Sequence, residues 1–222
     1  ERYRGYFGYN HNNDSLAIAT AGTQKLAITS TGQLQSKSLG VSTPTFSFDN
    51  DTDTGMTRPT SDTLQFVCGG TVKNRISSDG LLFNSDTAAA NALDDYEEGT
   101  WTPTINAGSL DGNQVGTYTK VGRKVTLQFY INVTTLGSSG SGVLVQNLPF
   151  TSANITSGHA AGSVVGRYFT KNDLNLLIPP NQAYIQFFNN GSGDFDQVTF
   201  GEVEPSYDAD FACYGTITYF AA

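Results

Sequence analysis

An internal repeat occupies the first half of the chain and limits what that half can fold into. One copy begins at Asp14 and the second at Asp62, and the copies superpose without gaps at an offset of 48 residues. Apolar residues alternate with small or polar ones in each copy, and Gly-containing turns separate the runs, which predicts a β-meander of short strands. Identical residues coincide at Asp14/Asp62, Leu16/Leu64, Gly22/Gly70, Thr23/Thr71, Lys25/Lys73, Ile28/Ile76, Ser30/Ser78, Gly32/Gly80 and Leu34/Leu82.

Such a meander has an apolar face and nothing of its own to cover it, and a small isolated hairpin is marginal in water. Cover can come from stacking many repeats in one chain, or from wrapping three chains around a common axis. Because only two copies are present, the sequence favours the second arrangement, an intertwined homotrimeric shaft. Asn74 replaces Leu26 in the second copy and could face the axis or turn outward. The predicted trimer core consists of Leu16, Ile18, Ile28, Leu64, Phe66 and Ile76.

The chain as a whole is predicted to be all-β, with a shaft at 1–83, a neck or linker at 84–99 and a head domain at 100–222. The neck could form a short helix or an extended segment, and its acidic part is interpreted as a solvated linker. Short alternating strands and frequent turn residues after residue 100 predict an antiparallel β-sandwich or jelly-roll-like head. The predicted head strands are 102–105, 116–121, 124–133, 142–146, 162–169, 183–188, 197–201 and 211–220.

Two stretches of the chain resemble phage tail-fibre proteins. Residues 53–59 (DTGMTRP), followed by GGT at 69–71 and RISSDG at 75–80, resemble the shaft repeat of many such fibres. Residues 93–104 (LDDYEEGTWTPT), with GTYTKVG at 116–122 and LPF at 148–150, resemble the opening of their C-terminal head domain. The resemblance covers roughly residues 14–150. It implies a parallel homotrimer that binds a surface glycan or protein, located in the virion after assembly in the host cytoplasm.

Composition and charge exclude several other classes of protein. Charged residues make up only 14% of the chain and the net charge is −8, so the chain lacks the basic face that nucleic-acid binding needs. No apolar run is long enough to cross a membrane, so membrane insertion is not expected. Cys68 and Cys213 are expected to be free, buried thiols rather than a disulfide.

The sequence offers little support for catalysis, a cofactor or a metal site. His11 and His159 lie in different segments and neither has a neighbouring Cys, Asp or Glu at ligand spacing. The alternative enzymatic function for this chain is that of a glycan depolymerase, which needs two carboxylates across a sugar-binding cleft. Candidate pairs are Glu202/Glu204 and Asp194/Asp196, although strand-end acids in solvent explain both. We therefore expect a protein that is not an enzyme.

Binding of a glycan requires aromatic platforms flanked by amides and carboxylates on loops. Three loops have this composition: 168–173, 187–196 and 205–210. Trp101 is expected to be a packing residue of the first head strand rather than a sugar platform. The predicted receptor-binding residues are Tyr168, Asn189, Asn190, Asp194, Phe195, Tyr207 and Asp208.

Together these features predict the distal segment of a phage tail fibre that adheres to the host cell. Its expected partners are two further copies of itself, a host cell-surface glycan or outer-membrane protein, and other tail proteins through its N-terminal side. An alternative is a structural virion appendage, a head fibre or baseplate part, whose terminal domain drives trimerisation. A glycan depolymerase is the least favoured of the three.

Overall fold

The computed structural model describes residues 4–37, 39–171, 173–191, 196–203 and 211–222. The described residues form antiparallel strands and two short 3₁₀ turns, Ala89–Asn91 and Phe200–Glu202, which confirms the all-β prediction. The chain divides into two compact units, Glu1–Asp94 and Asp95–Ala222. Within the described residues there is no helix with the length and apolarity needed to span a membrane.

The first unit begins with a four-stranded meander in which consecutive strands pair. Its register places seven apolar side chains on one face and small residues, including Ala17, Ala19 and Ala27, on the other. The strands are β1 (Tyr6–Asn10), β2 (Ser15–Thr20), β3 (Thr23–Ile28) and β4 (Leu34–Ser36). The apolar face of the first meander consists of Phe7, Tyr9, Leu16, Ile18, Leu26, Ile28 and Leu34.

A five-stranded meander completes the first unit, again with consecutive strands paired. Asn74 lies between Phe66 and Phe83 in register, so it is on the same face as these aromatic residues. The strands are β5 (Phe46–Phe48), β6 (Asp51–Thr57), β7 (Leu64–Cys68), β8 (Thr71–Ser77) and β9 (Gly80–Phe83). The apolar face of the second meander consists of Phe46, Met56, Leu64, Phe66, Asn74, Ile76, Leu81 and Phe83.

The two copies of the repeat share backbone details that explain their identical residues. Asp14 and Asp62 have φ of 56° and 57°, a left-handed conformation that Asp tolerates better than most residues. Gly32 and Gly80, with φ of 82° and 115°, lie in the second turn of each copy. Both copies also have a bulge at the same place, after Ile18 in one and after Phe66 in the other. The two copies of the repeat therefore share the same backbone conformation at these turns and at the bulge.

The second unit is one continuous antiparallel sheet that curves into a half-barrel. The prediction of a sandwich or jelly roll is wrong, because the described strands do not separate into two sheets. The twelve-residue β14 pairs with β13, β20 and β12, and β20 pairs in turn with β16, so neighbouring strands connect the whole sheet. The strands are β10 (Tyr96–Trp101), β11 (Thr104–Ile105), β12 (Ser109–Leu110), β13 (Val115–Val121), β14 (Lys124–Thr135), β15 (Leu144–Gln146), β16 (Ala160–Arg167), β17 (Leu174–Ile178), β18 (Tyr184–Asn189), β19 (Asp196–Gln197) and β20 (Phe211–Phe220).

The core of the second unit lies on the inner side of this curved sheet. Alternate residues of β14 and β20 face inward and are almost fully buried, as the period-2 pattern of these strands predicts. Trp101 is 7% exposed and packs edge-on against Phe129, so it is the packing residue that the sequence predicts. Gly116 leaves room for the Trp101 ring, because a Cβ at this position would lie 2.3 Å from Trp101 Nε1.

Several boundaries differ from the sequence-based expectations. The first strand of the second unit, β10, begins inside the predicted neck, since Tyr96 already pairs with Val121. Residues 197–201 are not a strand: β19 ends at Gln197, and the 3₁₀ turn follows. The strand β17 was not predicted. Both cysteines are free, but Cys68 is exposed rather than buried. Burial strongly raises the pKa of the Cys213 thiol.

Candidate functional site

The candidate site is the end of the half-barrel where β16 and β18 end and β17 and β20 begin. Arg167, the last residue of β16, lies opposite Ala212 near the start of β20. Leu174, the first residue of β17, lies opposite Asn189, the last residue of β18. The ends of β16 and β18 and the beginnings of β17 and β20 therefore lie at one edge of the sheet. We call this edge the loop end.

The charged centre of the loop end is a lysine held between two carboxylates. Lys171 Nζ lies 3.0 Å from Glu202 Oε1 and 3.8 Å from Asp196 Oδ2. The hydrogen bond to Glu202 raises the pKa of Lys171. The pKa of Glu202 is lowered by the backbone N–H of Thr199 and, to a smaller extent, by Lys171, against an opposing effect of burial. Lys171 and Glu202 are thus both held in their charged forms.

The 3₁₀ turn gives this centre a fixed support. Glu202 Oε2 accepts hydrogen bonds from the backbone N–H and the hydroxyl of Thr199, at 2.9 and 3.3 Å, which closes a capping box. The Glu202 carbonyl accepts two more from Thr170, through its N–H and its hydroxyl, both at 2.9 Å. Beneath the turn Phe200 is buried in the core. The position of the charged centre is therefore determined by backbone hydrogen bonds and core packing.

A glycine-rich loop, 137–142, packs against the same turn. The N–H groups of Phe200 and Gly201 donate to the carbonyls of Ser141 and Ser139, at 2.9 and 2.8 Å. At Gly137 a Cβ would lie 2.8 Å from the Phe200 ring, so this glycine allows the loop to approach the core closely. The loop is therefore docked on the 3₁₀ turn.

The structure places three of the predicted binding residues at the loop end, in different environments. Tyr168 is half-buried against the core, and the Arg167 guanidinium carbon lies 5.3 Å from the centre of its ring. Asn189 is only 5% exposed, and its Oδ1 accepts the N–H of Gly191, so this side chain shapes the turn. Asn190 is exposed. Asp194, Phe195, Tyr207 and Asp208 lie outside the described residues.

The loop end contains polar groups suited to hydroxyl-rich ligands. An ammonium, carboxylates and the exposed Asn190 amide can donate to and accept from sugar hydroxyls. The acids proposed for a depolymerase are only partly described, because Glu204 and Asp194 lie outside the described ranges. Glu202 is kept ionised, whereas the general acid of a glycosidase needs a raised pKa. This environment favours a structural and binding role for Glu202.

Sequence reasoning missed the pairing of Lys171 with Glu202. Lys171 falls within a predicted binding loop, but the residues are far apart in the chain and only the sheet register brings them together. A local signal was present nonetheless: Thr199 and Glu202 have the Thr-x-x-Glu spacing of a capping box. That spacing would have identified Glu202 as a turn-stabilising residue.

The described residues contain no group of three or more His, Cys, Asp or Glu side chains able to hold a metal ion. Comparisons of the chain with protein-family models, with curated proteins and with solved structures found no significant match.

Proposed function

We propose that this chain is the distal segment of a homotrimeric phage tail fibre, which attaches the virion to its host by binding a surface glycan or an outer-membrane protein. The first unit is the shaft and the second unit is the receptor-binding head. Attachment is adhesive and requires no reaction chemistry. Other tail proteins join the fibre at its N-terminal side, and the trimer assembles in the host cytoplasm before entering the virion.

The exposure of the apolar faces of the two meanders is the observation that carries this proposal. Phe7, Leu34 and Phe83 are 69%, 62% and 53% exposed within a single chain. Burying one large apolar side chain is worth about 1.5–3 kcal/mol, so two uncovered faces leave considerable stabilisation to be gained. Among the proposed trimer-core residues Leu16 and Leu64 are half-buried, and the rest are 38–47% exposed: Ile18, Ile28, Phe66 and Ile76.

Copies of the same chain are well suited to cover these faces. None of the residues that define the two apolar faces is charged, so identical faces can meet without repulsion between like charges. Both meanders expose the same kind of face, so one arrangement of chains can cover both. The resemblance of residues 53–80 to fibre shafts supports three chains around one axis.

The loop end supports the adhesive part of the proposal. Lys171, Asp196 and Asn190 offer charged and amide groups at one edge of the head, and Lys171 contacts Glu202 of the 3₁₀ turn. A trimer carries three such sites. Simultaneous engagement of several sites turns weak single contacts into strong attachment, because each later contact forms at high effective concentration.

Adhesion can be tested with the full chain, labelled with a fluorophore and incubated with a panel of bacterial strains. We expect saturable binding to at least one strain. The double variant Lys171→Ala/Asn190→Ala should weaken that binding tenfold or more, whereas Ser138→Ala, in the neighbouring glycine-rich loop, should change it less than twofold. A protein that is trimeric but binds none of the strains would contradict adhesion and favour the structural appendage.

A further inference from the structure

The outer side of the half-barrel presents a second apolar surface, distinct from the loop end. We define the outer face as the solvent-facing residues of β10, β13, β14, β20 and β16. Strand register arranges them in rows that cross the sheet. One row joins Val115, Tyr130, Tyr214 and Val165. Another row, at the opposite end, joins Tyr96, Val121, Lys124 and Phe220.

Exposed apolar side chains of the second unit are concentrated on this outer face. Among the described residues of the unit, seven large apolar side chains are exposed, and Ile155 is the one that lies elsewhere. A random scatter of surface apolar residues would not place six on one side of one sheet. The six are Tyr96 (63%), Val115 (50%), Val121 (43%), Val165 (74%), Tyr214 (65%) and Phe220 (57%).

The middle of the outer face is uncharged. Between the two apolar rows lie mainly hydroxyl and amide side chains, and the charged groups Glu98, Lys124 and Arg167 are at its margins. Depletion of charged residues at the centre is one compositional feature that this face shares with protein–protein interfaces. The central residues are Thr100, Thr117, Thr119, Thr126, Gln128, Ser163, Thr216 and Thr218.

The outer face also has surface hollows, and its area approaches that of one side of a protein–protein interface. Tyr130 and Tyr214 form a ring pair with centroids 4.8 Å apart. Hollows of about 300 and 310 Å³ lie on either side of Tyr214, one towards Thr216 and one towards Arg167. The face is five strands wide, at about 4.8 Å per strand, and about eight residues of β14 long, at about 3.4 Å per residue. Its projected area is therefore roughly 600 Å², compared with roughly 800 Å² buried per partner in a standard interface.

We propose that the outer face is the contact surface between the second units of neighbouring copies of this chain. This inference rests on the proposed trimer and deepens it, because it adds a second contact region outside the shaft. Copies joined through their first units hold their second units at high local concentration. Another copy of the same face is therefore the partner that is always present. Tyr214 of one copy can enter the hollow beside Thr216 of the next, which is not lined by the Arg167 and Ala212 of the loop end.

Thiol labelling of the full chain tests this inference. In a Cys68→Ser background, Val165→Cys places a reactive thiol on the outer face, and Ser138→Cys places one in the exposed glycine-rich loop. Cys213 is buried and does not interfere in the folded protein. We expect the thiol at 165 to react at least tenfold more slowly than the thiol at 138, and to react at the same rate once the protein is unfolded.

Light scattering on the same samples distinguishes failure of the outer-face contact from failure of the proposed trimer. If the protein is trimeric and the two thiols react at similar rates, the outer face is uncovered and this inference alone is overturned. If the protein is monomeric, the proposed trimer fails and the inference fails with it. A second variant, Tyr214→Arg, should accelerate labelling at 165 in a protein that is still trimeric through its shaft.

Discussion

Asn74 lies directly opposite Phe66 across β7 and β8, on the exposed apolar face of the second meander. Phe83 is its neighbour on the other side, so an amide is placed between two aromatic rings. The first meander has Leu26 at the equivalent position, in register with Ile18. In the proposed trimer, three copies of Asn74 would point towards the axis, where a polar layer can fix register at a cost in stability, as a buried Asn does in coiled coils.

The variant Asn74→Leu tests this placement. Leucine would add apolar contact at the axis, so we expect the melting temperature of the trimer to rise by several degrees. The matched control is Gln24→Leu, which adds a leucine to the opposite face of the first meander and should leave the melting temperature nearly unchanged. A lower or unchanged melting temperature for Asn74→Leu would mean that this face is not covered by other copies.

Substitution of the isoleucines of the two meanders should destabilise the trimer, whereas Asn74→Leu should stabilise it. Ile28 and Ile76 are equivalent in the repeat and are 44% and 47% exposed in one chain. Replacing both by Ser should remove about 1–3 kcal/mol of trimer stabilisation per site. The trimer should then dissociate in part at micromolar concentration, which lowers the average molecular mass of the protein in solution. Sedimentation velocity measures the change, with Ser30→Ala/Ser78→Ala as control. If the double Ser variant sediments like the wild type, the shaft core is assigned to the wrong residues.

The contact of Lys171 with Glu202 predicts a specific pH dependence. The folded pKa of Glu202 is below its ordinary value of 4.5, so its contribution to stability is present above that value and is lost as pH falls through the folded pKa. The folded pKa of Lys171 is above 10.5, so the lysine's contribution is complete below that pH and is lost at higher pH.

Replacing Glu202 by Gln should therefore flatten the loss of stability that the wild type shows on acidification below pH 4.5. Urea unfolding at a series of pH values gives the free energy of unfolding for wild type and variant. The two curves should converge at the acid end, where the wild-type carboxylate is protonated. Curves that stay parallel over this range would show that Glu202 is not held by Lys171 and the Thr199 N–H.

Close packing over Gly215 gives a prediction about stability that is independent of assembly. A Cβ at this position would lie 2.3 Å from Phe129 Cζ and 2.9 Å from Leu176 Cδ1, so Gly215→Ala overpacks the core. We expect a loss of about 1–3 kcal/mol in the free energy of unfolding. At Gly140 a Cβ would meet nothing within 4 Å, and Gly140→Ala should be nearly neutral in the same urea titration. Equal effects would contradict the packing.

The sequence predicts the local structure of this chain better than its long-range arrangement. The strand at Phe211–Phe220 was predicted to the residue, because residues 214–219 alternate cleanly and turn residues precede the strand in sequence. The strand at Leu174–Ile178 was missed, because the run Leu-Asn-Leu-Leu-Ile is short and only partly alternating. The half-barrel was mistaken for a sandwich, since alternation shows that one face is buried but not whether the strands belong to one sheet or two.

For the candidate site, the sequence predicts which residue types the loops contain but not how those residues are arranged in space. Loops rich in aromatic and amide residues were identified, and register then brought two of them together at the loop end. Burial separates Asn189, which shapes its turn, from the exposed Asn190, although the two are adjacent in sequence. The outer face was not foreseen, because its apolar residues come from five strands and become neighbours only through pairing.

If three copies complete the apolar faces of the first unit, size exclusion coupled to light scattering will show a trimer of the purified full chain. The expected mass at micromolar concentration is about 71 kDa, three times the 23.7 kDa of one chain. A folded, stable species of 23.7 kDa would contradict it.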